Sequence, residues 1–145
     1  MDLPLGYDNF GEVISNQLEI IDKSLFIKEI IDDKATKVTV ITRPRRFGKT
    51  LNLSMLHHFL AAEVNGFNTS QLFDQLKIAK QHPEYLKHQG KYPVIAVTFK
   101  DIKGQSFDTT LQGIQETIAN CYRQHKYLLA SNQLTQGDKK RIQNF

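Results

Sequence analysis

Arg43-Pro44-Arg45-Arg46-Phe47-Gly48-Lys49-Thr50 follows directly on Val38-Thr39-Val40-Ile41-Thr42, and this junction decides the reading of the chain. The run before it is β-branched and predicts a strand over Lys37 to Thr42, apolar enough to be buried on both faces. Beyond it, Leu53, Leu56 and Leu60 recur at helical spacing, with Met55 and Phe59 beside them. A helix is therefore expected from about Gly48 to Glu63, ended by Asn65-Gly66. Gly-Lys-Thr between a strand and a helix is the setting of a phosphate-binding P-loop.

The chemistry of such a loop comes from backbone N–H groups and a helix N-terminus that converge on an anion. Gly48 would let the backbone come close to the phosphates, where a Cβ would intrude. Lys49 would place its ammonium at the β- and γ-phosphates, and Thr50 would offer its hydroxyl to Mg²⁺. The leucine stripe would anchor the helix on a sheet. One departure is plain: the general pattern G-x-x-x-x-G-K-[ST] has glycine where this chain has Arg43. Pro44 fixes its own φ and biases Arg43 toward extended backbone, so the chain must leave the strand by another route.

Working outward, Gly6-Tyr7-Asp8-Asn9-Phe10 reads as a turn into a short helix over Gly11 to Asn16. Ser24 can cap a second helix whose Phe26, Ile27, Ile30 and Ile31 share a face. Asp32-Asp33-Lys34 ends it. Thr69 to Leu76 reads as a further short helix. Val94-Ile95-Ala96-Val97-Thr98-Phe99 reads as a second continuously apolar strand. From Ser106 to about Tyr127, Phe107, Leu111, Ile114, Ile118 and Tyr122 line one helical face. Thr135 to Phe145 is polar, a weak helix or a frayed end. The alternation of helices and strands predicts an α/β protein with a parallel sheet.

The chain has 145 residues, 40% of them apolar and 23% charged, which fits one soluble globular domain or part of a larger one. No apolar run approaches the roughly 18 residues of a membrane span. Met1 to Gly6 lacks the basic and apolar regions of a secretory signal. Cys121 is the only cysteine, so no intramolecular disulfide can form and a cytoplasmic location is expected. A net charge of +4 can attract nucleic acid only weakly, and Lys139-Lys140-Arg141 is too short to strengthen that reading.

The loop and its continuation, Arg43 to Thr50 and Leu51-Asn52-Leu53-Ser54-Met55-Leu56, resemble the Walker A segment of the predicted AAA-ATPase-like family. That family is related to archaeal-type and STAND ATPases and often carries a C-terminal PD-(D/E)XK-nuclease-like domain. The resemblance extends to Leu3-Pro4-Leu5-Gly6-Tyr7-Asp8-Asn9-Phe10, to Ile21-Asp22-Lys23-Ser24-Leu25-Phe26-Ile27 and to Tyr92 through Gly104. An arginine-proline start is the usual variant there, which accounts for Arg43. The resemblance implies a P-loop ATPase of the ASCE type that takes ATP and Mg²⁺. Arg43 to Thr50 would then form the nucleotide site, with Thr50 at the metal.

In ASCE proteins a later strand ends in acidic residues that hold Mg²⁺ and position water. Nothing in this chain after the Ser106 helix reads as that strand, and the family places Asp101 elsewhere. The expectation is therefore an N-terminal, truncated part of an AAA-ATPase-like domain over 1–145, with Walker A and without Walker B. Its sheet would be an incomplete parallel one, and it would bind ATP without hydrolysing it alone. An alternative is a non-enzymatic interaction piece, completed by a partner chain that supplies the missing strands or by self-association. A weak nucleic-acid-binding module is another. Arg45 and Arg46 can contact phosphates, contact a neighbouring subunit or remain solvated. Asp22 and Lys23 lie where related ATPases wall the adenine pocket, but also suit a helix-start cap. His57 and His58 lack partners at metal-ligand spacing, and Cys121 reads as a packing residue.

Overall fold

The computed structural model describes residues 6–42, 44 and 47–144. It resolves into two compact units that meet in sequence between Val94 and Ile95. The first unit holds α1 (Phe10–Ser15), α2 (Leu25–Asp32), α3 (Lys49–Leu60) and α4 (Lys77–Gln81), with 3₁₀ turns at Ser70–Phe73 and Pro83–His88. The second holds α5 (Phe107–Gln124), a 3₁₀ turn at Lys126–Ala130 and α6 (Gln136–Gln143).

The expected parallel sheet is not there. Among the described residues helix makes up 53% and strand 3%, with no sheet, so the α/β assignment is corrected to a helical one. Among the described residues the β-pairings are isolated bridges, Ala61 with Tyr92 and Val64 with Phe67. Lys37 to Thr42 and Val94 to Phe99 are not strands. Val38 and Val40 are about three-quarters exposed, and Ile95 and Phe99 nearly as much. The physical reason is that β-branched sequence makes a segment suited to a sheet but does not supply the ladder. A strand exists only when a second strand satisfies its N–H and C=O groups.

The core of the first unit is aromatic. Phe10, Ile27, Met55, Phe59, Phe73, Leu76 and Ile78 are buried together. Phe73 stacks on Phe10 with ring centroids 5.1 Å apart and meets Phe59 edge-on at the same distance. Edge-on and offset pairs suit the ring quadrupole and add to the area they bury. The apolar face of α2 contributes as its spacing predicts: Ile27 is buried, and Phe26 and Ile31 pack against the cluster.

The face of α3 differs from expectation. Met55, His58 and Phe59 are its buried residues, and Leu51, Leu56 and Leu60 pack at the margin, but Leu53 is 53% exposed. With no sheet to sit on, the helix turns its Met55–Phe59 side toward α1, α2 and the 70–73 turn. It also ends at Leu60, earlier than Glu63. Gly90 N–H donates to Phe59 O (2.9 Å) and Tyr92 N–H to Leu60 O (3.0 Å), so the 90–92 segment satisfies carbonyls at its end. The helix predicted over Thr69 to Leu76 is a 3₁₀ turn at Ser70–Phe73, and α4 and the 3₁₀ turn at Pro83–His88 follow it.

His58 is buried inside this unit, beside Phe10. Its Nδ1 lies 2.8 Å from the Ser54 carbonyl, and Ser54 Oγ accepts from the Phe10 N–H at 2.9 Å. The His58 ring leaves room for α1 only because residue 11 is glycine: a Cβ there would stand 2.7 Å from His58 Nε2.

The second unit has no buried residue among those described. Its α5 begins with a reciprocal capping box between Ser106 and Thr109 and presents Phe107, 77% exposed, on the apolar face predicted for it. α6 is capped likewise by Thr135 and Asp138, which settles the polar C-terminal segment as a helix.

Gly11→Ala adds a methyl where His58 cannot withdraw. Despite a helix-propensity gain of about 1 kcal/mol, overpacking is expected to lower stability by about 1–3 kcal/mol. A urea midpoint equal to or above that of the unaltered chain would contradict this account of Gly11.

Candidate functional site

The loop before α3 is where sequence reading put the chemistry. Arg43, Arg45 and Arg46 lie outside the described residues. Pro44, Phe47, Gly48, Lys49 and Thr50 are described, and their backbone brings Gly48, Lys49 and Thr50 to the start of one helix.

Gly48 is the residue immediately before α3 and has φ 71°, ψ 24°, the left-handed region. A Cβ in that conformation is disfavoured by about 1–2 kcal/mol. Space is not the constraint: the nearest atom to a Cβ there would be Lys23 Nζ at 3.9 Å. Glycine is thus required by the backbone turn itself. From that turn the chain enters α3 directly, and Asn52 N–H donates to Gly48 O at 2.9 Å.

The first turn of any α-helix carries N–H groups without acceptors inside the helix, and the helix dipole makes that end positive. In α3 neither usual remedy is present. No side chain caps it at residue 48, and its first turn contains no acidic residue. Contrast α1, α5 and α6, each of which has a side-chain cap and an acid in the first turn. α2 shares both lacks; what sets the start of α3 apart is the left-handed Gly48 that leads into it.

Two lysines add to that charge. Lys49 Nζ donates to Pro44 O at 3.0 Å, folding its side chain back along the loop. Lys23 Nζ, from a residue 24 positions earlier, donates to Phe47 O at 3.4 Å. Thr50 is exposed in the first turn of α3. The arrangement suits an anion with several oxygens, held by the helix end and by ammoniums on either side of Gly48.

What positions Lys23 is the pair of residues around it. Asp22 Oδ1 accepts from Ser24 N–H (2.8 Å), and its Oδ2 accepts from Lys77 N–H (2.7 Å) at the start of α4. Ser24 is fully buried; its Oγ accepts from Ile78 N–H at 3.0 Å rather than capping α2. Asp22 and Ser24 together clamp α4, while Lys23 between them reaches the loop. Burial pushes the Asp22 carboxyl up, but the donors from Ser24 and Lys77 outweigh it, and its pKa lies below the usual aspartate value. Asp22 precedes α2, but the helix start that it serves is that of α4, 55 residues later, which the cap reading of the sequence did not include. The approach of Lys23 to Phe47 was not foreseen, and no local pattern signals it.

A profile of the predicted AAA-ATPase family matches residues 4–144. The chain belongs to that family. No curated protein and no solved structure matches it. The match spans both units and includes the loop, Asp22 to Ser24 and the 92–104 segment.

The remaining candidates fall elsewhere. Asp32 is tied to Lys28 Nζ (2.6 Å) and to the Tyr85 hydroxyl (2.6 Å), joining α2 to the 83–88 turn. In the second unit Asp101 and Cys121 line an open cleft with Thr98 and Thr117. Among the described residues no group of three His, Cys, Asp or Glu side chains could hold a metal, and no helix is long and apolar enough to cross a membrane.

The Asp22 clamp has a pH signature. A carboxyl with a lowered folded pKa stabilises fully above the ordinary aspartate value of about 3.9 and loses that contribution as pH falls through the folded value. Asp22→Asn sets an amide against the Lys77 N–H and is expected to cost about 1–3 kcal/mol near neutrality. The deficit should shrink as both proteins are taken toward pH 3. A constant difference across that range in paired denaturation curves would refute the clamp.

Proposed function

We propose that this chain binds ATP with Mg²⁺ through residues 43–50. In this reading Arg43, Pro44, Arg45, Arg46 and Phe47 form the loop around the polyphosphate, and Gly48 makes the turn into α3. Lys49 takes the β- and γ-phosphates and Thr50 the metal. The observation that carries it is the left-handed Gly48 leading into the uncapped, acid-free start of α3. Membership of the predicted AAA-ATPase family supports the same ligand. Lys49→Ala is expected to weaken Mg·ATP binding at least about tenfold, because a hydrogen bond to a charged group contributes about 1.5–3 kcal/mol. Isothermal titration is the direct measurement, and no heat from ATP or ADP with the unaltered chain would end this proposal.

Binding without turnover is the second half of the reading. Hydrolysis needs a carboxylate that positions water and helps hold the metal, in addition to the groups that grip phosphate. Lys49 and Thr50 supply only the grip. The 145-residue chain is expected to release phosphate no faster than Lys49→Ala, and Lys49-dependent turnover would overturn this half. A cytoplasmic setting suits the free thiol of Cys121.

A specific observation favours a second reading, an interaction piece. Val38 and Val40 in one unit, and Ile95 and Phe99 in the other, leave apolar side chains in water. A partner chain or a second copy would cover them. Sedimentation across a hundredfold concentration range is expected to show self-association that Val38→Lys with Val40→Lys reduces. Strictly monomeric behaviour with no loss of stability in the variant would dismiss self-association.

A further inference from the structure

We infer that Lys23 is a second ammonium of the nucleotide site, held ready by the Asp22–Ser24 clamp and transferred from the loop carbonyl to the polyphosphate when nucleotide binds. This rests on the reading that residues 43–50 take ATP.

Three observations on the first unit lead here. Lys23 Nζ sits on Phe47 O at 3.4 Å and 3.9 Å from where a Gly48 Cβ would be, so its charge stands at the turn that opens α3. Lys49 Nζ is on Pro44 O at 3.0 Å. Two cations from residues far apart in sequence are thus gathered on carbonyls of one short loop, beside a helix whose first turn contains no acidic residue. The residues on either side of Lys23 are held by hydrogen bonds to the α4 backbone, an exposed one through Asp22 and a buried one through Ser24. The backbone at residue 23 therefore cannot drift, while the exposed side chain keeps its freedom to move.

The chemistry follows from the acceptors. A backbone carbonyl is a neutral acceptor, and 3.4 Å is a long bond for an ammonium. Phosphate oxygens carry full charge and make shorter, roughly doubly strong bonds with N⁺–H donors. An anion at the start of α3 would draw both ammoniums off their carbonyls. Two ammoniums and a helix end have more positive charge than one phosphate satisfies, which points to a di- or triphosphate. The contact is to phosphate, so it differs from a wall of the adenine pocket.

The experiment compares Lys23→Met and Lys23→Arg with the unaltered chain, using Mg·ATP and inorganic tripolyphosphate as probes over a range of salt. Met keeps the length of the side chain and removes its charge. Because Lys23 is exposed, thermal unfolding of both variants should match the unaltered chain. Lys23→Met is expected to bind both probes about five- to tenfold more weakly, the scale of one partly exposed charged contact. Its ATP affinity should also fall less steeply with salt, and Lys23→Arg should recover most of the loss.

Unchanged affinity in Lys23→Met would overturn the inference while leaving the loop's own role intact. So would weaker ATP binding with an unaltered salt dependence, which would make Lys23 a latch for Phe47 and nothing more. A loss confined to ATP, with tripolyphosphate unaffected, would place Lys23 at the base instead and overturn it too. If the unaltered chain binds neither probe, the nucleotide reading itself fails and takes this one with it.

Discussion

Phe73 between Phe10 and Phe59 is the contact on which the first unit depends. Each ring comes from a different element, and none of those elements is long enough to persist alone in water. α1 has six residues and the 70–73 turn four; α3 has twelve. Joined through Phe73, they form one body, and its rigidity fixes the direction in which α3 begins. The loop's geometry is therefore inherited from aromatic packing that touches no site residue. Leu76 and Ile78 carry the same core to α4, where Asp22 and Ser24 fasten the chain segment that delivers Lys23.

Electrostatics around the loop are arranged by exclusion as much as by attraction. Asp22, next to Lys23 in sequence, is committed to the Ser24 and Lys77 amides. Lys23 and Lys49 each donate to a neutral loop carbonyl, an acceptor that a phosphate oxygen outcompetes. A site of this kind can grip an anion, but gripping alone does not position water for attack. On the proposed reading of the loop, that asymmetry would separate binding from turnover.

Local features were legible where the signal is local. The short helix after the Gly6–Phe10 turn, the long amphipathic α5 and the junction at Gly48 all follow from residues within a few positions of one another. Features that need a distant partner were not. Val38 and Val40 carry strong β preference, yet a ladder requires a second strand, and the structure offers them none. The same gap explains Leu53, placed correctly on a helix and wrongly on its buried side. Ser24 was read as a cap because serine before a helix usually is one; a backbone amide 54 residues later claims its hydroxyl instead.

By itself, the sequence determined the family, the helices α1, α2, α3 and α5 and the Gly48-Lys49-Thr50 turn, because composition, short-range periodicity and a contiguous motif are written along the chain. Tertiary structure alone decided which face of α3 is buried, that the apolar runs form no strand ladder among the described residues, and that Lys23 stands beside Phe47. Those outcomes depend on which distant atoms compete for the same side chain or amide, and such competition is resolved only when the chain is folded.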